Sequence, residues 1–300
     1  MVLVLASSGI DLTPRGTSGL ASLTLGVRDE RTRLLRSRVR PPLLVQRALY
    51  LDDALPDMAF IFLANPTAGI LAGDEQTIEV DLGSGCQAHI CTQAATKVFS
   101  MPDPAESGAR QTVNLTLQEG AYLEYLPDPM IPFRNARFSQ ETLITMAPGA
   151  TLVLGETLSP GRVEMGESFA FDQWRSRLTV ATPSGNPLYR EAFSLAPRKV
   201  SPLGVGVMGR FTAPVLGTLL LLNDSPDLEK LGEGINARVI QLLAEGLTAM
   251  AGVSVLPNGI GVGLKVIGEP ASAVAKVMRA AWAEARRQFL GVELPRLRKY

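Results

Sequence analysis

The sequence predicts a mainly β protein with a small helical part, and three observations favour this fold class. A block of alternating apolar and polar residues occurs three times, at 76–90, 111–125 and 140–154. Near Asn223 the pattern changes, and apolar residues then recur at helical spacing. Apolar residues make up 46% of the 300 positions, which is enough to bury a sizeable core.

Each copy of the repeat consists of an alternating strand, a short turn that contains glycine, and a second alternating strand. This pattern is typical of a β-hairpin. The copies begin at Gln76, Gln111 and Gln140, a spacing in the range of stacked repeat architectures. Because one hairpin cannot bury its apolar face alone, we expect a layered scaffold of stacked β-hairpins, similar to a β-solenoid.

Further strands are predicted on both sides of the repeats. Residues 19–64 alternate in a strand-like way, and the continuous apolar run 59–64 is consistent with a strand buried on both faces. Proline-rich loops separate the copies, and strands continue after Pro160. The layered β scaffold is therefore expected to span residues 1–222.

The remaining segment, 223–300, is predicted to be a helix–hairpin–helix unit. Helical spacing covers 228–250 and 271–290, and the turn Pro257-Asn258-Gly259 lies between two short apolar runs. In the second helix, Lys276, Arg279, Arg286 and Arg287 are expected on the polar side. Because no flexible linker is visible, we expect this unit to pack on the scaffold within one structural domain.

Composition argues against several classes of protein. Lys plus Arg equals Asp plus Glu at 29 each, which gives no indication of nucleic-acid binding. Two cysteines are too few for a disulfide framework, and no signal sequence or membrane span is evident, so we expect a cytoplasmic protein. Six arginines between positions 31 and 47 form either a solvated strand face or a docking surface for an acidic partner.

No complete catalytic or metal-binding set is apparent. His89, the only histidine, shares a strand face with Cys91, whereas Cys86 points to the other face, and two soft ligands are few for a tight transition-metal site. Nucleotide-binding loops and nucleophile elbows are absent from the sequence. Acidic residues beside the repeats leave three alternatives: weak cation binding, glycoside hydrolysis by a carboxylate pair, and capping of turns. These acidic residues are Asp74, Glu124, Asp128 and Glu156.

Five motifs in a fixed order carry a resemblance to a known family. They are Pro-Leu-Leu-Val-Gln-Arg-Ala-Leu-Tyr at 42–50, Ala-Gly-Ile-Leu-Ala-Gly-Asp at 68–74, Thr-Gln-Ala-Ala-Thr-Lys-Val-Phe at 92–99, Leu-Glu-Tyr-Leu-Pro-Asp-Pro at 123–129 and Pro-Phe-Arg-Asn-Ala-Arg-Phe at 132–138. Together they resemble the UreD/UreH family of urease accessory proteins. The resemblance runs from about residue 20 to the C-terminus.

The resemblance implies a non-enzymatic maturation factor for a nickel enzyme, with a layered β fold and a small helical part. Such proteins dock on apo-urease and recruit accessory proteins of the UreF and UreG families. They are thought to conduct nickel through an internal tunnel, so the implied cargo is transient nickel and no cofactor is tightly bound. Carried over by position, Asp74 and Glu156 would be tunnel carboxylates, and Asp128 and Glu191 are further candidates.

The chain departs from the family pattern at two places. Thr67 and Ala68 stand where glycines are usual, so we expect altered turn geometry there. Cys91 stands where threonine is typical, so neither Cys91 nor His89 receives a role from the resemblance. The alternative function is a β-solenoid carbohydrate hydrolase that uses an Asp/Glu pair, and it would require a long open groove in place of an enclosed tunnel.

Overall fold

The computed structural model describes residues 16–67, 69–203, 206–224 and 227–297. Strands account for 45% of the described residues and helices for 17%, so the prediction of a mainly β fold with a small helical part is confirmed. Ala68, one of the two departures from the family pattern, lies outside the described residues.

The helices are α1 (Leu228–Ala244) and α2 (Ala271–Leu290). In chain order the strands are β1 (Ser18–Arg28), β2 (Arg31–Arg40), β3 (Leu44–Val45), β4 (Ala59–Ala64), β5 (Gly69–Ile70), β6 (Glu75–Leu82), β7 (Gln87–Thr92), β8 (Thr96–Val98), β9 (Ala109–Leu117), β10 (Tyr122–Tyr125), β11 (Met130–Pro132), β12 (Arg137–Met146), β13 (Thr151–Leu158), β14 (Gln173–Ala181), β15 (Pro187–Leu195), β16 (Val215–Leu222), β17 (Ala249–Val255) and β18 (Gly261–Gly268).

The strands form two sheets. The first sheet has the order β15-β14-β12-β9-β6-β1-β2. The main path of the second sheet is β17-β18-β16-β13-β10-β7-β4-β3, and the short strands β5, β8 and β11 attach beside it. One apolar core lies between the sheets, and a second lies between the second sheet and the two helices. The layers are therefore sheet, sheet and helices.

The two strands of each repeat copy lie in different sheets. In the first copy β6 pairs in parallel with β1 and β9, whereas β7 pairs in parallel with β4 and β10. The prediction of a β-hairpin in each copy is therefore wrong. Alternation in the sequence indicates a strand with one buried face but does not reveal which strand is its neighbour. Here each strand pairs with its equivalent in the next copy.

The turns between the two strands of a copy are stacked on one another. Gly85, Gly120 and Gly149 occupy equivalent positions and have φ angles of 66°, 66° and 71°. This left-handed conformation strains residues that carry a side chain. A Cβ at Gly120 would lie 3.9 Å from the backbone nitrogen of Gly85, an ordinary contact distance that leaves room for a side chain. The left-handed φ alone therefore explains why each copy carries glycine at this point.

The C-terminal segment joins the second sheet directly. Strands β17 and β18 pair with each other, and β18 also pairs with β16, so the strands on both sides of the expected boundary at 222/223 share a sheet. Helices α1 and α2 cover the outer face of that sheet. No helix among the described residues is long and apolar enough to cross a membrane.

Candidate functional site: a cavity between the two sheets

The repeat glutamines lie side by side in the space between the sheets. Gln76, Gln111 and Gln140 are in register on the parallel strands β6, β9 and β12. The Gln111 amide nitrogen Nε2 donates a hydrogen bond of 3.1 Å to Gln76 Oε1. Gln140 Nε2 donates one of 2.7 Å to Glu156 Oε1 on β13, which links the first sheet to the second. The repeat therefore places a row of polar side chains where an apolar core is expected.

A cavity of about 470 Å³ opens at this row, and we call it the inter-sheet cavity. Its walls are largely apolar and include Leu154, Leu178 and Leu220. Such a wall with a few convergent polar groups is typical of ligand sites. The carboxylate, amine and amide side chains that line it are Gln111, Gln140, Asp128, Glu156, Glu191 and Lys265.

The cavity changes the ionisation of Glu156. Burial raises the pKa of Glu156 to about 7, and the nearby negative charge of Glu191 acts in the same direction. Lys265 and the hydrogen bond from Gln140 lower the pKa by smaller amounts. Because the raised pKa lies near neutrality, this carboxyl group gains and loses its proton near pH 7.

Glu191 and Lys265 close one side of the inter-sheet cavity. Glu191 is on β15 of the first sheet and forms an ion pair with Lys265 on β18 of the second sheet. The Tyr189 hydroxyl donates a hydrogen bond of 2.8 Å to Glu191 Oε2. The Lys265 side chain is 62% exposed, so this pair stands at a mouth of the cavity and not in its interior.

Asp128 lies in the loop that follows β10 and lines another part of the same cavity. The Thr92 hydroxyl donates a hydrogen bond of 3.0 Å to Asp128 Oδ2 and accepts one of 2.8 Å from the Asp128 backbone nitrogen. This reciprocal contact fixes the loop against the end of β7. The structure thus brings Asp128, Glu156 and Glu191 to one cavity.

Asp74, the other carboxylate identified from the sequence, does not line the inter-sheet cavity. It is buried just before β6, and its Oδ1 accepts hydrogen bonds from the backbone nitrogen and the hydroxyl of Thr17, at 2.7 and 2.8 Å. Its Oδ2 accepts a further bond of 2.8 Å from the Leu71 backbone nitrogen. Its described contacts are those of a residue that holds a turn.

A smaller cavity of about 140 Å³ adjoins the first. The linings of the two cavities share Ile78, Thr92, Thr96 and Gln111. Gln76 lines the smaller cavity, and its Nε2 is buried without a hydrogen-bond partner among the described residues. An unsatisfied buried donor of this kind indicates room for a water molecule or another polar ligand.

Comparison with known proteins identifies the family. Residues 18–299 match the family described as UreD urease accessory protein. The chain belongs to the UreD family. It is 37% identical to urease accessory protein UreD 2 of Brucella suis, over 94% of this chain and 92% of that protein. It is 36% identical to UreD of Photorhabdus laumondii, over 93% of this chain and 85% of that protein. It is 33% identical to UreD of Haloarcula marismortui, over 95% of this chain and 91% of that protein.

Family membership confirms the resemblance and gives this chain a role in urease maturation. UreD proteins are accessory proteins of urease and not catalytic enzymes, so the alternative of a carbohydrate hydrolase is set aside. Among the described residues, no group of three or more His, Cys, Asp and Glu side chains is arranged to hold a metal ion.

A second polar cluster, which the sequence did not reveal, lies on the opposite face of the second sheet. We call it the buried charge network; its members are Asp52, His89, Tyr122, Glu124, Trp282 and Arg286. Glu124 is at its centre. Its Oε1 accepts hydrogen bonds from the Trp282 indole nitrogen at 2.8 Å and from Arg286 Nη1 at 3.1 Å.

The expectation that Arg286 lies on the polar side of α2 is wrong, because its side chain is fully buried. It pairs with Glu124 and Asp52. Helical spacing within α2 gave little indication of this, since both partners are more than 150 positions away in sequence. The cavity glutamines are visible in the sequence, because each occupies an inward-facing position on a strand face that is otherwise mostly apolar.

Proposed function

We propose that this UreD protein helps to deliver nickel to apo-urease and that the ion passes through the inter-sheet cavity. Membership of a family of urease accessory proteins supports the first part. One observation carries the second: three carboxylates, Asp128, Glu156 and Glu191, line a single cavity of about 470 Å³ between the sheets. In this proposal nickel is cargo, and the protein retains no metal.

The chemistry of the lining suits passage better than storage. A tight site for a transition metal uses three or four ligands, often His or Cys, at fixed geometry. The inter-sheet cavity offers separate carboxylates and amide oxygens, which bind a partly hydrated divalent ion weakly enough to release it. Glu156 must lose its proton to bind the cation, and its pKa of about 7 makes that exchange easy at neutral pH.

The row of glutamines suggests the direction of the path. Gln111 contributes to both cavities, and Gln76 presents an unpartnered amide nitrogen in the smaller one. We propose that water-filled space continues from the inter-sheet cavity past Gln111 into the smaller cavity. Asp74 would support this path indirectly, because its hydrogen bonds hold the turn at the start of β6.

We further propose that the protein works in the cytoplasm, in a complex with apo-urease and with accessory proteins of the UreF and UreG families. This part follows from the family resemblance. The names of the relatives state that they are urease accessory proteins, which supports contact with urease but does not name the other partners.

The decisive experiment compares Glu156→Gln with Glu141→Gln in cells that express urease and its accessory proteins. Glu156 lines the cavity, whereas Glu141 is exposed on the outer face of the first sheet. We expect Glu156→Gln to lower the nickel content of urease while the complex still co-purifies, and Glu141→Gln to leave both unchanged. Normal nickel content with Glu156→Gln would overturn the proposed path, and failure of the wild-type protein to co-purify with urease would overturn the proposed role.

A further inference from the structure

Strand β2 forms one edge of the first sheet, and its two halves differ. The first half is covered by the loop before β4. The Thr32 backbone nitrogen donates a hydrogen bond of 3.1 Å to the Asp57 carbonyl, and the Tyr50 hydroxyl donates one of 2.9 Å to the Thr32 carbonyl. Arg31 is also engaged there, by an ion pair with Asp57 and by its position 4.3 Å above the Tyr50 ring.

The second half of β2, residues 35–40, is an open edge. Each of these residues is exposed. In the part of the chain that the structure describes, the sheet ends at β2, with no strand on its far side. An edge of this kind presents backbone donors and acceptors on which a strand from another chain can pair. At about 3.3 Å per residue, the open edge is roughly 20 Å long.

The side chains of the open edge are strongly basic on one face. The pairing of β1 with β2 shifts by one residue at a bulge between Thr24 and Leu25. Beyond the bulge, Arg36 and Arg38 lie opposite Thr24 and Ser22 on the outer face, and Arg40 lies on the same face. Leu35 lies over Gly26 on the same face. The other face carries Val39, which is 43% exposed.

This concentration of charge is local, because the whole chain has a formal net charge of zero. The Arg38 side chain is 71% exposed, and its nearest ion-pair distance is 3.9 Å, to Glu79. Arginines on an edge strand discourage pairing between copies of the same edge, since like charges would meet. The same row attracts a strand whose carboxylates alternate with apolar residues, because carboxylates would then face the arginines while apolar side chains face Val39.

We propose that residues 35–40 of β2 bind an extended acidic segment of a partner protein, which adds to the first sheet as a further strand. The segment would carry Asp or Glu at every second position, in step with Arg36, Arg38 and Arg40. This inference does not depend on nickel transfer, since the open edge lies outside both cavities.

The test uses the full chain and a fluorescent peptide of about seven alternating glutamate and valine residues, the length of an ordinary strand. Binding is measured by anisotropy for the wild type, for Arg36→Glu/Arg38→Glu and for the milder Arg36→Gln/Arg38→Gln. The matched control is Arg175→Glu/Arg177→Glu, which reverses two exposed arginines near the opposite end of the same sheet. Far-ultraviolet circular dichroism checks that every variant is folded.

We expect both changes on β2 to weaken binding by about tenfold or more, the equivalent of two partly desolvated ion pairs, and the control to leave it unchanged. A peptide with alternate backbone amides methylated should not bind, because it cannot pair as a strand. Equal binding of the methylated peptide, or equal loss in the control variant, would reduce the effect to non-specific attraction and overturn the proposal. A free chain that is a dimer and dissociates on Arg38→Glu would also overturn it, because the edge would then join two copies.

Discussion

The two faces of the second sheet each carry an inward-facing glutamate, yet the two carboxyl groups behave in opposite ways. Glu124 on β10 faces the helices, whereas Glu156 on the neighbouring strand β13 faces the inter-sheet cavity. Burial would raise the pKa of Glu124, but His89, Arg286 and Trp282 together lower it below its ordinary value. Burial raises the pKa of Glu156 to about 7.

The difference follows from the number of donors that each carboxylate meets. Glu124 has hydrogen-bond partners from α2 and from the sheet, so its charge is satisfied inside the protein. Glu156 accepts hydrogen bonds from Gln140 and Ser176 and otherwise faces the inter-sheet cavity. A carboxylate surrounded by donors serves as an anchor, whereas one with few donors remains available to a proton or a cation.

Arg286→Ala should lower the free energy of unfolding more than any other change proposed here. It would leave Glu124 and Asp52 buried without their cationic partner, which costs about 3–5 kcal/mol of the free energy of unfolding. Arg287→Ala is the matched control, because Arg287 is next in sequence but 38% exposed, and should cost less than about 1 kcal/mol. Urea unfolding measures both, and equal losses would show that the buried charge network is not the anchor of α2.

Glu124→Gln should have the next largest effect and lower the free energy of unfolding by about 2–3 kcal/mol at neutral pH. Because the folded pKa of Glu124 is lowered, its contribution is fully present above the ordinary value of 4.5 and is lost as the pH falls below it. The variant should therefore differ less from the wild type in acid than at pH 7. A difference that stays constant down to pH 3 would contradict the lowered pKa.

Glu156→Gln should show the opposite pH dependence. The raised pKa of Glu156 means that its contribution to stability is present below pH 4.5 and is lost as the pH rises through about 7. The variant, which carries no charge, should be more stable than the wild type by up to about 3 kcal/mol at pH 8 and nearly equal to it at pH 4.5. Thermal unfolding across this range measures the effect, and a variant less stable at pH 8 would refute it.

Trp282→Phe should have the smallest effect. It removes the indole donor to Glu124 but keeps an aromatic ring in place, so we expect the free energy of unfolding to fall by about 1 kcal/mol. Loss of that donor should also move the pKa of Glu124 upwards. Titration of the side-chain carboxyl by NMR would follow this change, and an unmoved pKa would mean that Arg286 and His89 are sufficient alone.

Sequence reasoning predicted the parts of the fold that depend on local periodicity. Alternation identified the strands of the repeat, and helical spacing identified α2 and α1, although α1 ends at Ala244 and Met250 belongs to β17. It failed where partners are distant in sequence: the pairing of β6 with β9, and the burial of Arg286 against Glu124. Alternation and spacing indicate which face of a strand or helix is apolar. They do not indicate which residues of a distant strand or helix contact that face.

The same limit applies to the candidate site. The family resemblance pointed to Asp128, Glu156 and Glu191, and the structure brings them to one cavity. The resemblance did not identify Lys265, which lies on β18 of the other sheet and forms an ion pair with Glu191. That contact depends on how the sheets are stacked, and stacking is not encoded in any single segment.

The stacked glycine turns make each repeat copy an interchangeable module. Copies join by parallel pairing of equivalent strands, and their differing lengths are absorbed in the connecting loops. A gene duplication of one copy would therefore add a strand to each sheet without disturbing the turns of its neighbours. It would also add another inward-facing glutamine and lengthen the space between the sheets, so the number of copies sets how far the inter-sheet cavity can extend along the sheets.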